Sequence, residues 1–366
     1  MTTDATDQST PSADALRFLV DLLDTPGPTG YTHEAIALCE NWFGALVKKF
    51  DGATLSHTRK GALKIHIPGR ASTHPVAVTA HVDTLGLMVK EIKSSGRLKV
   101  TKIGGIMWGG IEMAGVTVRT AGNKRIRGTV VPVNGAVHVN RDVHKMPRNG
   151  ETLEIRLDIR TTKAEETREH GIEVGDFVFL DARVETNDEG FIRSRFLDDR
   201  ASIACIYAAL EQINETPAQD TTILIANYEE VGHGGASDFD ADLFELLAVD
   251  MAAIGNGQNS DEFHCSICVK DSSGPYHFQT IERLRRLAKA NDIDVKTDIY
   301  PYYSSDASAY WFAGGAARTG LIGPGVDTSH SYERTHTDAI RDTAKLIAAY
   351  LQDDPAVQAD ESDSPQ

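Results

Sequence analysis

The sequence has a deficit of positive charge and no long apolar run, and each lack excludes a class of protein. Lysine and arginine number 37 against 53 aspartates and glutamates, which gives a net charge of −16. This balance argues against nucleic acid or an anionic membrane as the main partner, because both attract basic surfaces. No apolar run approaches the roughly 20 residues that span a bilayer. The first residues, MTTDATDQSTPSAD, lack the basic and apolar parts of a signal peptide.

Cysteine is also scarce, with 4 among 366 residues. This scarcity is typical of a reduced, cytoplasmic protein that does not depend on disulfides. Cys265 and Cys268 form a single C-x-x-C motif within FHCSICV, which has the composition of a strand. A strand would point the two side chains to opposite faces, so we expect packing cysteines rather than a metal knuckle.

The predicted secondary structure changes character twice along the chain. Residues 12–86 and 186–353 alternate helices with apolar strands, which predicts one discontinuous α/β domain with a mixed sheet and helices on both faces. Residues 87–185 between them are mostly short strands with turn residues, which indicates an inserted β-rich unit of barrel or PDZ-like form. The polar ends, 1–11 and 354–366, predict disordered tails, and the second of these tails is acidic.

Polar residues follow the apolar strands of the predicted α/β domain. They are His81 and Asp83 after HPVAVTA, Asp198 and Asp199 after RSRFL, Glu229 and Glu230 after TTILIANY, Asp250 after ELLAV, and His330 and His336 after RTGLIG. Open α/β sheets place ligand sites at the carboxyl ends of their strands, so we expect these side chains to converge. Close carboxylates disfavour one another's ionisation, and two divalent metals would remove that conflict. Mixed histidine and carboxylate ligands suit zinc, with cobalt or manganese as alternatives.

Two short motifs in this set predict individual roles. In H-x-D, the two-residue period of a strand places Asp83 on the same face as His81, where it can fix the imidazole tautomer. In the adjacent pair, neighbours in an extended segment face opposite ways, so one can ligate while the other faces the attacking water. We therefore expect Glu230 to bind metal and Glu229 to be the general base that passes a proton to the leaving amine. The glycines that follow allow a close approach of backbone to the site.

The segments HVDTLGLMV, FLDDRAS, EEVGHGGAS, AVD and SYERTHTDAI resemble, in this order, the motifs of the M42 metallo-aminopeptidases, which include the glutamyl-aminopeptidase and TET-like enzymes. The resemblance extends over about residues 12–351. It implies one metal on His81, Asp198 and Asp250, and a second on Asp198, Glu230 and a late histidine. It also implies that Glu229 is the catalytic base, that Asp83 orients the histidine, and that a cis peptide joins Asp198 to Asp199.

The late histidine is ambiguous, because the chain departs here from the family pattern H-[ST]-P-x-E. His336, in YERTHTDAI, lacks the proline and the glutamate of that pattern. His330, in DTSHS, is the rival. We expect His336 to be the ligand because it directly precedes a predicted helix.

The resemblance further implies a homo-oligomer, from a dimer up to a dodecamer, assembled through the inserted β-rich unit. KDSSGPYH and IYPYYSSDAS resemble a subgroup encoded beside genes for a dipeptide-type osmoprotectant. Asp306, in SSDAS, is a candidate for binding the substrate's α-amine, and a helix N-cap is an equal alternative.

The expected activity is the release of N-terminal residues from short peptides or peptide-like small molecules. Three alternatives stay open. The first is a dinuclear-metal deacylase or amidase acting on a small peptide-like osmolyte. The second is a glycosidase, which needs two carboxylates but has no use for the histidines and should survive a chelator. The third is a non-catalytic, metal-dependent assembly protein, which would not need Glu229.

Overall fold

The computed structural model describes residues 10–356, so the outer parts of both predicted tails, 1–9 and 357–366, lie outside the described residues. The helices are α1 (Ala13–Asp24), α2 (His33–Leu46), α3 (Trp108–Ile111), α4 (Ala164–Glu169), α5 (Leu197–Gln212), α6 (Phe278–Ala290), α7 (Asp306–Phe312) and α8 (Thr337–Gln352). Within this range no helix combines the length and the apolarity needed to cross a membrane.

The strands belong to two sheets and a barrel. They are β1 (Thr54–His57), β2 (Leu63–Ile67), β3 (Ala71–His81), β4 (Gly86–Ile92), β5 (Leu98–Ile103), β6 (Gly115–Arg119), β7 (Arg125–Pro132), β8 (Leu153–Leu157), β9 (Phe177–Leu180), β10 (Glu185–Thr186), β11 (Phe191–Ser194), β12 (Gln219–Ala226), β13 (Glu245–Val249), β14 (Ala252–Ala253), β15 (Cys265–Asp271), β16 (Gly274–Pro275), β17 (Val295–Ile299), β18 (Arg318–Val326) and β19 (Glu333–His336).

The large sheet is mixed and has ten strands among the described residues, in the order β1-β2-β12-β3-β13-β18-β15-β16, with β14 beside β18 and β17 beside β15. Its centre, β12-β3-β13-β18, is parallel. These central strands are nearly continuous apolar runs, as expected for parallel strands that are covered on both faces. Because the four strands run in one direction, their carboxyl ends meet at one edge of the sheet.

The alternation of side chains along β3 shows that both faces of this sheet are covered. Val76 and Val78 belong to the main core, which also contains residues of α1, α2, α5, α6 and α8. Ala77, between them, belongs to a separate apolar cluster with Leu246 and with Tyr310 of α7. Successive residues of a strand point to opposite faces, so the two clusters lie on opposite sides of the sheet. This arrangement confirms the predicted α/β class.

The inserted β-rich unit is a closed barrel in the order β4-β5-β8-β7-β6-β9. In β6, Val116 and Val118 are fully buried while the residues between and beside them are partly exposed, which is the alternation expected of a strand around a filled interior. The barrel strands lie between residues 86 and 180. The next strands, β10 and β11, form instead a separate three-stranded sheet with β19, in the order β10-β11-β19. The exact domain boundaries stay a prediction.

All four cysteines are buried and free. Burial raises the pKa of Cys265 and of Cys268 to about 12, so both thiols stay protonated at neutral pH. Protonated, buried thiols are poor nucleophiles and poor metal ligands. The structure therefore agrees with packing roles for both residues.

Candidate metal centre

The carboxyl ends of the central parallel strands bring several of the sequence-predicted residues to one place. Asp198 and Asp199 do not follow a strand of this sheet: they lie in the first turn of α5, after β11 of the three-stranded sheet. His81 is the last residue of β3 and is in register with Ala226, the last residue of β12. Glu229 and Glu230 follow β12 in a short 3-10 turn, and Asp250 directly follows β13. The segment between β18 and β19 crosses the same edge of the sheet.

Asp198 lies between two imidazoles. Its Oδ1 is 3.3 Å from Nε2 of His81, and its Oδ2 is 3.5 Å from Nε2 of His330. On the first side, Nε2 of His81 is also 3.7 Å from Oε2 of Glu229. On the second side, Nε2 of His330 is 3.6 Å from Oε2 of Glu230. One carboxylate therefore faces two histidines, and each histidine has a further carboxylate beside it.

Asp199 and Asp250 complete the first side of the cluster. The ligand atoms of His81, Asp199 and Asp250 lie within 4.8 Å of one another. Oδ2 of Asp199 accepts the backbone N–H of His81 at 3.2 Å, so this carboxylate lies behind the histidine. The Asp198–Asp199 peptide bond is cis. Asp198 lines the open cavity beside the cluster, whereas Asp199 is fully buried and does not.

Asp83 connects the histidine to the two glutamates. Nδ1 of His81 is 3.0 Å from the backbone carbonyl oxygen of Asp83 and 3.5 Å from its carboxylate. The carboxylate itself accepts the hydroxyl of Thr29 at 2.6 Å and the backbone N–H groups of Glu229 and Glu230 at 3.2 and 3.4 Å. An Nδ1–H that donates to the carbonyl leaves Nε2 free to bind a metal. Asp83 thus positions both parts of the cluster.

The expectation that Glu229 and Glu230 lie in an extended segment is wrong. Tyr228 has a left-handed backbone with φ 71°, and a 3-10 turn follows it from Glu229 to Val231. This turn directs both carboxylates toward the cluster rather than to opposite sides. Gly232, with φ 87°, ends the turn in a conformation that favours glycine.

The structure does not bring His336 to the cluster, which corrects its expected position. Its Nδ1 accepts the backbone N–H of Asp338 at 3.0 Å, so His336 is the N-cap of α8. Its Nε2 lies 2.7 Å from the carbonyl oxygen of Glu189. The position of His336 before a helix favoured it as a ligand in the sequence. The structure gives this position another cause, because the imidazole accepts a hydrogen bond from a free helix amide. His330, in the loop before β19, lies at the cluster instead.

Sequence reasoning missed Glu333, which lies between the two candidate histidines in the chain. One oxygen of this buried carboxylate accepts the backbone N–H of Asp198 at 3.0 Å, and the other accepts that of His330 at 3.0 Å. Glu333 therefore holds the backbone of Asp198 and His330, as Asp83 holds that of the two glutamates. The signal available in the sequence was that this glutamate, within SYERTH, begins a short strand among other polar residues.

Asp306 does not line the open cavity. Its Oδ1 accepts the backbone N–H of Gly235 at 2.7 Å, and Ser305, not Asp306, is the N-cap of α7. A Cβ on Gly234 would lie 2.3 Å from that carboxylate oxygen, so glycine is required for this contact. The structure supports a role for Asp306 in holding the loop after Glu230.

The carboxylates of the cluster are too buried to ionise together without compensation. Burial, with Asp250 adding to it, raises the pKa of Glu229 well above its usual range. Burial and the nearby Asp198 raise the pKa of Asp250 to about 7. Burial opposes the ionisation of Asp198 as well, but His330 and His81 outweigh it and hold its pKa low. The contact with Asp198 in turn raises the pKa of His330 to about 9.

This donor set fits divalent metals. The cluster offers two imidazole nitrogens and several carboxylates, which are the ligands that zinc prefers outside cysteine sites. Bound cations would also supply the positive charge that the buried carboxylates need in order to ionise.

A cavity of about 480 Å³ opens beside the cluster. One wall consists of Asp198, Glu229, Glu230, Asp250 and His330. The lining also includes residues 300–304, between β17 and α7. A ligand that enters this cavity would meet the cluster directly.

A cavity beside two histidines and several buried carboxylates, at the carboxyl edge of a parallel sheet, defines a metallohydrolase. Comparison with known proteins identifies the family. The model of the family described as M42 glutamyl aminopeptidase matches residues 61–346. The chain belongs to this M42 family, and it is an aminopeptidase.

Similar proteins agree with this assignment. The chain is 46% identical over 340 residues to YhfE of Bacillus subtilis (strain 168), named as an aminopeptidase, covering 92% of this chain and 97% of that protein. The structure resembles an aminopeptidase from Desulfurococcus kamchatkensis, with a TM-score of 0.84, 21% identity and coverage of 96% and 99%. It also resembles the Pyrococcus horikoshii TET1 peptidase, described as assembling into a tetrahedron or a large octahedral shell, with a TM-score of 0.78, 22% identity and coverage of 92% and 99%.

Proposed function

We propose that this chain releases the N-terminal residue of short peptides at a pair of divalent metals, with zinc as the native ion and cobalt or manganese as substitutes. The observation that carries the proposal is the position of Asp198 between His81 and His330. A carboxylate with one oxygen toward each of two histidines is suited to bridge two cations. The first metal would be held by His81, Asp198 and Asp250.

The second metal would be held by Asp198, Glu230 and His330. His330 takes the place that we expected for His336, because its Nε2 lies beside both carboxylates. Asp83 and Glu333 would act as positioning residues. Each contacts backbone amides or an imidazole of the segments that carry the ligands, and neither lines the cavity. Asp199 would hold the backbone of His81.

The metals, when bound, would polarise the scissile carbonyl and lower the pKa of water. Glu229 lines the cavity and is not needed as a ligand in this assignment, so its carboxylate is available as the general base. It would take a proton from the attacking water as the oxygen bonds to the carbonyl carbon. It would then deliver that proton to the amine as the carbon–nitrogen bond breaks.

Removal of metal is expected to abolish peptide hydrolysis. Dialysis against 1,10-phenanthroline should reduce the activity on leucine amides to background, and added Zn²⁺ or Co²⁺ should restore it, because the carboxylate cluster needs cations to ionise and bind. A control dialysed without chelator should keep its activity. Full activity in a preparation shown by elemental analysis to hold no metal would contradict the proposal.

His330→Ala and His336→Ala are expected to differ sharply. His330→Ala should lose about one metal per chain and most of its turnover, because it removes the proposed nitrogen ligand. His336→Ala should keep both metals and lose about 0.5–2 kcal/mol of stability, the usual effect of losing a helix N-cap. Metal analysis and thermal unfolding of the two variants check this, and the opposite pattern would return the ligand role to His336.

We also propose that the chain forms a homo-oligomer through the inserted barrel. Exposed apolar side chains lie in this unit, namely Met107, Met113, Val137, Val139 and Val174. Apolar groups left on a small barrel are favourably covered by another subunit. Light scattering is expected to give a mass of at least two chains. A Val139→Lys variant should shift that mass downward, and a mass of one chain for the parent would overturn the proposal.

A further inference from the structure

The charged residues among the described lining residues of the cavity all belong to the cluster, and we call the others the uncharged wall. Among the described lining residues, the formal charges belong to the cluster: Asp198, Glu229, Glu230, Asp250 and His330. The remaining lining residues are uncharged: Gly232, Met251, Ala253, Gln258, Tyr300, Pro301, Tyr302, Tyr303, Ser304 and Ser329. No lysine or arginine is found among the lining residues in the described part of the chain.

The uncharged wall is held in place by contacts within the protein. The Tyr303 hydroxyl donates to the carbonyl oxygen of Met251 at 3.1 Å, and the Tyr300 hydroxyl lies 2.7 Å from Oγ of Ser260. The two rings pack with centroids 5.2 Å apart. Ser272 binds the Tyr303 carbonyl oxygen through its hydroxyl and its N–H. Because the hydroxyls of Tyr300 and Tyr303 are bonded to the protein, these two residues present mainly aromatic surface to a ligand.

Resting on the proposed function, we infer that the enzyme takes substrates whose N-terminal side chain is uncharged and apolar or aromatic, and that it rejects an acidic one. The reactive carbonyl must lie at the metal cluster, so the neighbouring side chain of the substrate occupies the rest of the cavity. Met251, Ala253 and the tyrosines offer that side chain dispersion contacts and removal from water.

An acidic side chain would lose water in this cavity and would meet no lysine or arginine among the described lining residues. A buried, unpaired carboxylate is strongly unfavourable, and the chain's net charge of −16 adds repulsion. Among the described lining residues, a substrate lysine could form an ion pair only with the carboxylates that would hold the metals. The name glutamyl aminopeptidase, which the family model carries, would therefore not describe the preference of this chain.

The test is a panel of aminoacyl fluorogenic amides carrying Leu, Met, Phe, Gln, Glu or Lys, with N-acetyl-Leu amide as the blocked comparator, assayed on the zinc-loaded enzyme. We expect kcat/KM for Leu, Met or Phe to exceed that for Glu by at least about 100-fold, since a partly desolvated charge without a cationic side-chain partner carries a penalty of this order. Gln should be cleaved faster than Glu, because the two side chains have nearly the same shape and differ in charge.

Gln258→Arg places a cation on the uncharged wall and should raise the Glu-to-Leu ratio of kcat/KM by about tenfold or more. Gln212→Arg is the matched control, because it makes the same charge change at the far end of α5 from Asp198 and should leave that ratio unchanged. A parent enzyme that cleaves Glu or Lys amides faster than Leu amides would overturn the inference and leave the proposed function standing. Failure to cleave any free-amine substrate, or cleavage of the acetylated one alone, would overturn both.

Discussion

Glu229→Gln is expected to lower kcat on a leucine amide by about 10²–10⁴-fold while leaving both metals bound. The range is the usual contribution of a positioned general base. Glutamine keeps the size and shape of the side chain but cannot accept a proton from water. Glu229 lies 3.7 Å from Nε2 of His81, and its backbone N–H is fixed by Asp83, so the substitution should leave the rest of the cluster in place.

The measurement pairs steady-state kinetics with metal analysis of the same preparation. Glu215→Gln is the matched control, because its side chain is 82% exposed and lies away from the cluster, and it should behave like the parent. Loss of metal together with loss of activity in Glu229→Gln would assign Glu229 a ligand role instead. Unchanged kcat would remove it from the mechanism and would reopen the assembly-protein interpretation.

Asp198→Asn is expected to lose metal and with it nearly all activity. Both carboxylate oxygens of Asp198 contact an imidazole, and the Ser329 hydroxyl donates to one of them at 2.8 Å. An amide presents one oxygen and one NH₂ group. Its oxygen can bind at most one cation, and its N–H donors would face the second cation. We expect metal content to fall from two ions per chain to one or none.

Elemental analysis of the purified variant, dialysed with the parent, checks this expectation. Asp142→Asn, on the barrel with a side chain 77% exposed, is the matched control and should retain two ions and full turnover. Asp198→Asn with the same metal content as the parent would contradict the bridging assignment. Asp199 would then be the better candidate, since its ligand atom lies within 4.8 Å of those of His81 and Asp250.

The sequence predicted the fold best where many buried side chains and a common strand direction determine the structure. The runs around Val78 and Leu247 are apolar on both faces, which is typical of a covered parallel sheet. This pattern predicted that the polar residues after each strand would meet. In residues 87–185, the short strands separated by turn residues indicated the inserted β unit. These patterns arise from many side chains, so a single exception does not obscure them.

The sequence was least informative where one residue has several plausible partners. A histidine before a helix reads equally as a metal ligand or as a cap, and His336 is used as a cap. The turn at Tyr228 depends on a left-handed backbone conformation that no local sequence pattern predicted. Glu333 binds backbone amides of residues that are 135 and 3 positions away, and such contacts are set by tertiary packing.

Asp83 and Glu333 both hold backbone segments of the cluster, and this affects how the enzyme acquires its metal ions. Each of these carboxylates fastens the main chain of ligand-bearing segments, through contacts that do not involve an ion. The backbone around the cluster is thus held by the protein's own hydrogen bonds, so we expect the proposed metal ions to bind without a rearrangement of the main chain. Metal loading and exchange would then occur on the folded enzyme, and the metal ions available in the cell would determine its activity after synthesis.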